Sequence, residues 1–296
     1  MTPAETDVLL AEIRAWLTVS RVFYRSYGVT DHLGPHYFVI NSIVANTVDS
    51  DQLVFRELLK GLPPETKEGS SMNHDLSACL EHLRQLRYLD LFEGKTKSAL
   101  AGRPQFPVST LIKVREKLHK ATKRYARHVL RELFGREFEE KYSPYFIKTS
   151  ALLFEFAKGP FVREWGELLK ALSKKSPISG TARGAFLNEM TGSTEYYILL
   201  MSLWEMKLVE DDEEGYRLSM LHSLHGFTRY VKQDDLHQCV KQLVKHGIIK
   251  PVYHEDEEEH YRLADEHIKT FLMFGEHLKE FRDLARAEIE KGIESH

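Results

Sequence analysis

A mostly helical α+β fold, made of two related units that each carry a small β ribbon, is what this sequence predicts. Three observations predict it. The segment DLSACLEHL at 75–83 returns as DLHQCVKQL at 235–243, with aspartate, leucine, cysteine and leucine in the same places. Apolar residues through most of the chain recur at three- and four-residue steps, the period of a helix. After each quoted segment, two short apolar or β-branched runs flank a polar loop, as paired strands do.

The elements follow in order. Leu9, Leu10, Ile13, Trp16, Leu17, Ser20, Phe23 and Tyr24 mark an opening helix that ends near Gly28. Gly34 and Pro35 start a second helix over HYFVINSIVAN, and Asp49 to Asp51 cap a third, QLVFRELLKGL, which Pro63 and Pro64 stop. Beyond the polar linker ETKEGSS lies the first quoted helix, whose Leu76, Cys79, Leu80 and Leu83 stand at i, i+3, i+4 and i+7 and so share one face. LDLF (89–92) and FPVSTLI (106–112) read as strands around a loop punctuated by Gly94, Gly102 and Pro104. A long amphipathic helix then carries Leu111, Val114, Leu118, Ala121, Tyr125, Val129 and Leu130 on its apolar stripe.

The second half repeats this order. FVREWGELLKAL (161–172) places Trp165 in a helix as RAWLTVSRVF places Trp16. Tyr196, Tyr197, Ile198 and Leu199 answer Tyr37, Phe38, Val39 and Ile40, and YRLSMLHSLHGF (216–227) takes the place of QLVFRELLKGL. After the second quoted helix come IIKPVY, the acidic loop HEDEEEH and YRLA, then a long closing helix with Ile268, Phe271, Leu272, Leu278, Phe281 and Leu284. Two motifs recurring in register over such a span indicate a tandem duplication. The predicted domains are 1–149, with a basic loop between its strands, and 150–296, with an acidic one.

Composition bounds the function. A chain of 296 residues with 42% hydrophobic and 29% charged residues is expected to form a buried core in each half. Glu5, Asp7 and Glu12 interrupt the first apolar residues, unlike a secretory leader, and no stretch reaches the roughly 18 apolar residues of a membrane span, so a cytoplasmic protein is expected. Cys79 and Cys239 lie on apolar helix positions without a CxxC pattern and read as reduced core residues. The net charge of −3 hides an asymmetry: residues 95–132 carry eleven Lys or Arg against Glu116 and Glu132, whereas 209–296 carry 20 acids against 12 bases. Such a split points to a polyanion-facing segment in the first half.

The order helix, helix, helix, strand, loop, strand is that of a winged helix, and each half resembles a MarR-type winged-helix transcriptional regulator, a helix-turn-helix class. The resemblance covers nearly the whole chain, taken twice. It implies mostly α units with small β wings, joined as a pseudo-dimer by their long helices, with the fourth helix reading the major groove of double-stranded DNA and the wing reaching the minor groove. It makes 75–83 part of a recognition helix and Arg103 the wing arginine. The helix starts with His74, Asp75, Ser77 and Ala78 where the family favours Ser, Thr and Arg, and the wing reads A-G-R in place of D-x-R.

The expected DNA contacts in the first half are Asn73, His74, Ser77 and Gln85 toward base edges, Arg84 and Arg87 late on the helix, and Lys95, Lys97 and Arg103 on the wing. In the second half the carboxylates 255–259 would repel phosphate, leaving Lys232, Gln233, Gln238, Lys241 and Lys245 for residual contacts. The acidic second unit instead suits a protein partner or further self-association. The main alternative is a tandem winged-helix interaction or scaffold module that does not read DNA sequence. The family's small aromatic effectors suggest Trp16, Tyr24, Tyr37 and Tyr196 as pocket residues, against an ordinary helix-packing core. No catalytic signature is present, so no enzymatic activity and no cofactor are expected. His222 and His225, at i and i+3, lack a placed third ligand, and no metal is expected there.

Overall fold

The computed structural model describes residues 2–29, 35–61, 70–92, 106–107, 109–156, 162–191, 193–209, 214–224, 226, 231–253 and 259–294. The described residues are mostly helical with two small antiparallel sheets. Its first half runs α1 (Pro3–Tyr27), α2 (Pro35–Asn46), β1 (Gln52–Val54), α3 (Phe55–Gly61), α4 (Ser70–Gln85), β2 (Leu89–Phe92), β3 (Leu111–Val114), α5 (Glu116–Phe134), α6 (Arg136–Tyr142) and α7 (Phe146–Phe156). The second half runs α8 (Val162–Lys174), α9 (Gly180–Thr191), α10 (Thr194–Val209), β4 (Tyr216–Arg217), α11 (Leu218–Ser223), α12 (Gln233–Lys245), β5 (Ile249–Tyr253), β6 (Glu259–Leu263) and α13 (Asp265–Glu294).

From α2 to α5 and from α10 to α13 the elements follow one order: helix, strand, helix, helix, strand, strand, helix. The sheets agree too, with strand orders β1-β3-β2 and β4-β6-β5. In the first, Leu53 and Leu91 both pair with Ile112; in the second, Tyr216 and Pro251 both pair with Tyr261. The joint after the quoted helices is also the same. Tyr88 N donates to Leu83 O and Arg87 N to Arg84 O, as Ile248 N donates to Leu243 O and Gly247 N to Val244 O, all at 2.9 Å. This helix-ending turn needs a left-handed residue: Gly247 supplies φ 71°, and Arg87 adopts φ 60°.

Several boundaries differ from the sequence reading. QLV of QLVFRELLKGL is a strand and the helix begins at Phe55, because Leu53 pairs with Ile112 and Phe55 N donates to Thr110 O at 2.9 Å. Tyr216 and Arg217 likewise form a strand rather than the start of a helix. The third strand of the first sheet is 111–114, not 106–112, so Leu111 and Val114 belong to the ribbon and α5 starts only at Glu116. Helices α6, α7 and α9 have no counterpart in the sequence reading.

Packing divides the chain into two compact bodies: Met1–Tyr24 with Pro160–Leu284, and Arg25–Gly159 with Ala285–His296. Relative to the halves 1–149 and 150–296, the first body takes in most of α1 and the second takes in the end of α13. In the first body Trp165 meets Tyr197 and Phe274 edge-on at 5.1 and 5.8 Å, and Trp204 lies 5.5 Å from Phe271. Leu9 and Trp204 close over Gly275 so tightly that an added Cβ would lie 2.6 and 2.8 Å from them. In the second body Tyr27 packs against Tyr88 and Tyr125, and its hydroxyl donates to Thr122 Oγ1 at 3.2 Å. Helix α7 packs on α2 and α5, and Lys141 and Tyr142 both donate to Glu294 of α13, at 2.6 and 2.8 Å. Cys79 and Cys239 are both buried, and burial pushes the Cys239 thiol up to about 12. Among the described residues no helix is long and apolar enough to cross a membrane.

Candidate nucleic-acid interface

Helix α4 is seated by Leu76, Cys79, Leu80 and Leu83, each at most 4% exposed. That leaves Ala78, His82, Arg84 and Gln85 facing out, and Glu81 half-buried beside them. Arg84 donates to Glu81 at 2.6 Å and remains about half exposed, at 53% of its side chain. An exposed i, i+3 pair of this kind is weak and gives way readily to a stronger anion. His82 Nδ1 stands 2.9 Å from His36 Nε2 of α2, which ties the outer face of α4 to the start of α2.

Ser77 corrects the sequence expectation. It is 1% exposed, and its hydroxyl accepts from Phe106 N at 3.2 Å, so it does not face a base edge. The reason is helical geometry: Ser77 lies about 60° around the helix from Leu80, at the margin of the apolar stripe, where the backbone before β3 covers it. Arg84, Gln85 and Arg87 are exposed together at the C-terminal end of α4. The side chains of Asn73 and His74, and Lys95, Lys97 and Arg103 entirely, lie outside the described residues.

The basic segment does not present all of its charge. Arg115 holds Asp90 of β2 with both nitrogens, Nε at 2.8 Å from Oδ2, and this hydrogen bonding keeps the Asp90 carboxyl below the usual carboxylate range. Lys113 stands 3.8 Å from Asp51, and Lys120 pairs with Glu116 at 2.9 Å. Arg127 and Arg131 both clamp Glu139 of α6, at 2.5 and 2.7 Å. Burial of Glu139 opposes its ionisation, yet the two guanidinium partners outweigh burial and hold its carboxyl below the ordinary value. Glu139 was not recognised from sequence; its spacing from Arg127 carries no motif.

Lys117 serves structure as well as charge. Its ammonium donates to Leu86 O at 2.6 Å and sits 4.8 Å from the centre of the Tyr88 ring, fastening the first turn of α5 beneath the end of α4. The chemistry this arrangement supports is electrostatic: guanidinium and ammonium groups on one surface, suited to phosphate oxygens.

In the second half Lys232, Gln233, Gln238, Lys241 and Lys245 are all exposed on or beside α12, together with Asp234 and Asp235. Of the acidic loop, 254–258 lie outside the described residues, while Glu259 ends the pairing of β5 with β6 opposite Tyr253. His222 Nε2 lies 2.5 Å from Val231 O, and His225 is outside the described residues.

The four expected pocket residues fall in different bodies. Trp16 and Tyr196 are buried in the first body, where the Tyr196 hydroxyl donates to Glu189 at 2.8 Å; Tyr24, half-buried, belongs to the same body. Tyr37 is buried in the other body, and burial raises its phenol, as it does those of its neighbours Tyr27 and Tyr125. Tyr37 and Tyr196 are therefore part of packed cores, as expected of aromatic residues at helix crossings.

No family model, characterised protein or solved structure matches this chain.

Proposed function

We propose that this chain is a DNA-binding transcriptional regulator built of two MarR-like winged-helix units related by duplication, with the first half as the principal reader of double-stranded DNA. One observation carries the reading: helix, strand, helix, helix, strand, strand, helix is written twice with the same strand order and the same helix-ending joint, and in the first copy the exposed end of α4 carries Arg84, Gln85 and Arg87. In a winged helix that element enters the groove, and cations there neutralise phosphates while Gln85 addresses base edges. The single chain would act as a pseudo-dimer on DNA.

Gel-shift titration at low salt tests this. Salt-dependent duplex binding that weakens on Arg84→Glu, and on Lys97→Glu or Arg103→Glu, is expected. Absence of any salt-dependent duplex binding by the intact chain refutes the reading.

A second reading, a tandem winged-helix docking module, is favoured by one feature of the second copy. Tyr253 at the end of β5 is 84% exposed, and Asp234 and Asp235 stand exposed at the start of α12. An exposed aromatic and exposed carboxylates on one unit suit a basic protein partner better than phosphate.

A further inference from the structure

We infer that the outer face of α5 is a second docking surface for duplex DNA, one that grips backbone phosphate alongside the end of α4; the inference rests on the DNA-binding reading above. Lys117, Lys120, Lys123, Arg124, Arg127 and Arg131 are all exposed on this helix. Among the described residues neither Lys123 nor Arg124 enters an ion pair. The buried Glu139 neutralises one charge while holding two guanidiniums, Arg127 and Arg131, at the surface with their side chains 58% and 50% exposed.

Comparison with α13 separates this face from an ordinary solvated one. The joints align the two helices: Arg115 N donates to Tyr88 O and Leu118 N to Arg115 O, as Ala264 N donates to Ile248 O and His267 N to Ala264 O. In that register Thr122, Tyr125 and Val129 answer Phe271, Phe274 and Leu278, all buried, and from Leu130 onward, which answers the exposed Lys279, the inward pattern departs. The outward positions agree in Glu116 with Asp265 and Lys120 with Lys269, and differ at five others. Where α5 has Lys117, Lys123, Arg124, Arg127 and Arg131, α13 has Glu266, Leu272, Met273, Glu276 and Glu280. The core needs only the inward pattern, so packing does not account for five outward cations on one copy where the other has three carboxylates and two apolar residues.

Geometry and charge select the occupant. From Lys117 to Arg131 the stripe runs roughly 21 Å at about 1.5 Å per residue, about the length of six base-pair steps of a duplex strand at about 3.4 Å each. Lys117, bonded to Leu86 O, makes the stripe start at the end of α4, beside Arg84 and Arg87. A membrane surface is a poorer fit, because the apolar side that an interfacial helix would insert is already buried: Leu118, Tyr125 and Leu130 are at most 2% exposed.

The test uses the full chain and a fluorescent duplex of mixed sequence, with affinity measured by anisotropy across a salt series. Each phosphate contact contributes about 0.9 to the slope of log affinity against log salt. Lys120→Gln/Arg124→Gln is expected to lower the slope by about 1.8, and each single variant by about half of that. Lys269→Gln, the exposed position of α13 that corresponds to Lys120, leaves the slope unchanged. The substituted side chains are solvent-facing, and melting of each variant at the wild-type temperature confirms an intact fold. Duplex binding by the wild type with an unaltered slope in both singles and the double overturns this inference alone. No duplex binding by the wild type overturns the DNA-binding reading and this inference with it. Loss of binding to anionic vesicles, with duplex binding retained by the double variant, assigns the face to a membrane and also overturns the inference.

Discussion

Gly247 isolates a backbone effect with almost nothing else attached. It ends α12 at φ 71°, and an added Cβ would meet only Pro177 Cδ at 3.5 Å, an ordinary contact. Gly247→Ala therefore creates no clash and removes no hydrogen bond; its whole cost is conformational. A side chain in the left-handed region costs about 1–2 kcal/mol, and the lower entropy of the unfolded alanine chain returns about 0.4–1 kcal/mol. The net destabilisation is about 0.5–1 kcal/mol. Gly247→Asn should cost less, since asparagine tolerates this region. The same turn in the first half is made by Arg87 at φ 60°, so Arg87→Gly should stabilise by a similar amount with the sign reversed. Urea unfolding followed by circular dichroism reads all three as shifts of midpoint at constant slope. Gly247→Ala at wild-type stability, or Gly247→Asn as costly as Gly247→Ala, would refute the conformational argument.

Three further outcomes follow from the buried groups. Glu139→Gln removes the carboxylate that both Arg127 and Arg131 hold and should destabilise the fold by about 2 kcal/mol; because that carboxyl's folded value lies below its unfolded one, the contribution is present at neutral pH and lost on acidification, so urea midpoints of wild type and variant should converge as pH falls below the ordinary carboxylate range. His246 and His267 are buried, and burial lowers both imidazoles, while the aligned first-half positions are Leu86 and Leu118. The unfolded chain takes up protons there first, so stability should fall as pH drops below about 6.5; His246→Leu should flatten that profile in a pH series of melting curves. Gly275→Ala forces a methyl against Leu9 and the rigid Trp204 ring, and a loss of about 1–3 kcal/mol is expected in urea unfolding; an unchanged midpoint would show that the helices part without cost.

What the sequence determined by itself was local and periodic. The stripe Leu76, Cys79, Leu80 and Leu83 and its counterpart Leu236, Cys239, Val240 and Leu243 seat their helices as the three- and four-residue spacing requires, and all are buried. LDLF forms a strand with the expected bounds, and the opening helix ends at Tyr27, just before Gly28. Backbone geometry sets these periods within one element, so neighbouring residues suffice to read them. Tertiary structure decided everything that needed a distant partner. QLV becomes a strand only because Ile112 and its neighbours pair with it. Ser77, at the margin of the apolar stripe, is closed off because the backbone at Phe106, 29 residues away, lies over it and donates to its hydroxyl. Much of the cationic segment also holds Asp90, Glu116 and Glu139 within the fold, and only coordinates separate those charges from Lys123 and Arg124, which enter no ion pair among the described residues. Most of α1 joins the body formed by 160–284, and the end of α13 joins the body of the first half, since apolar faces bury against whichever surface complements them and chain order imposes no such partner.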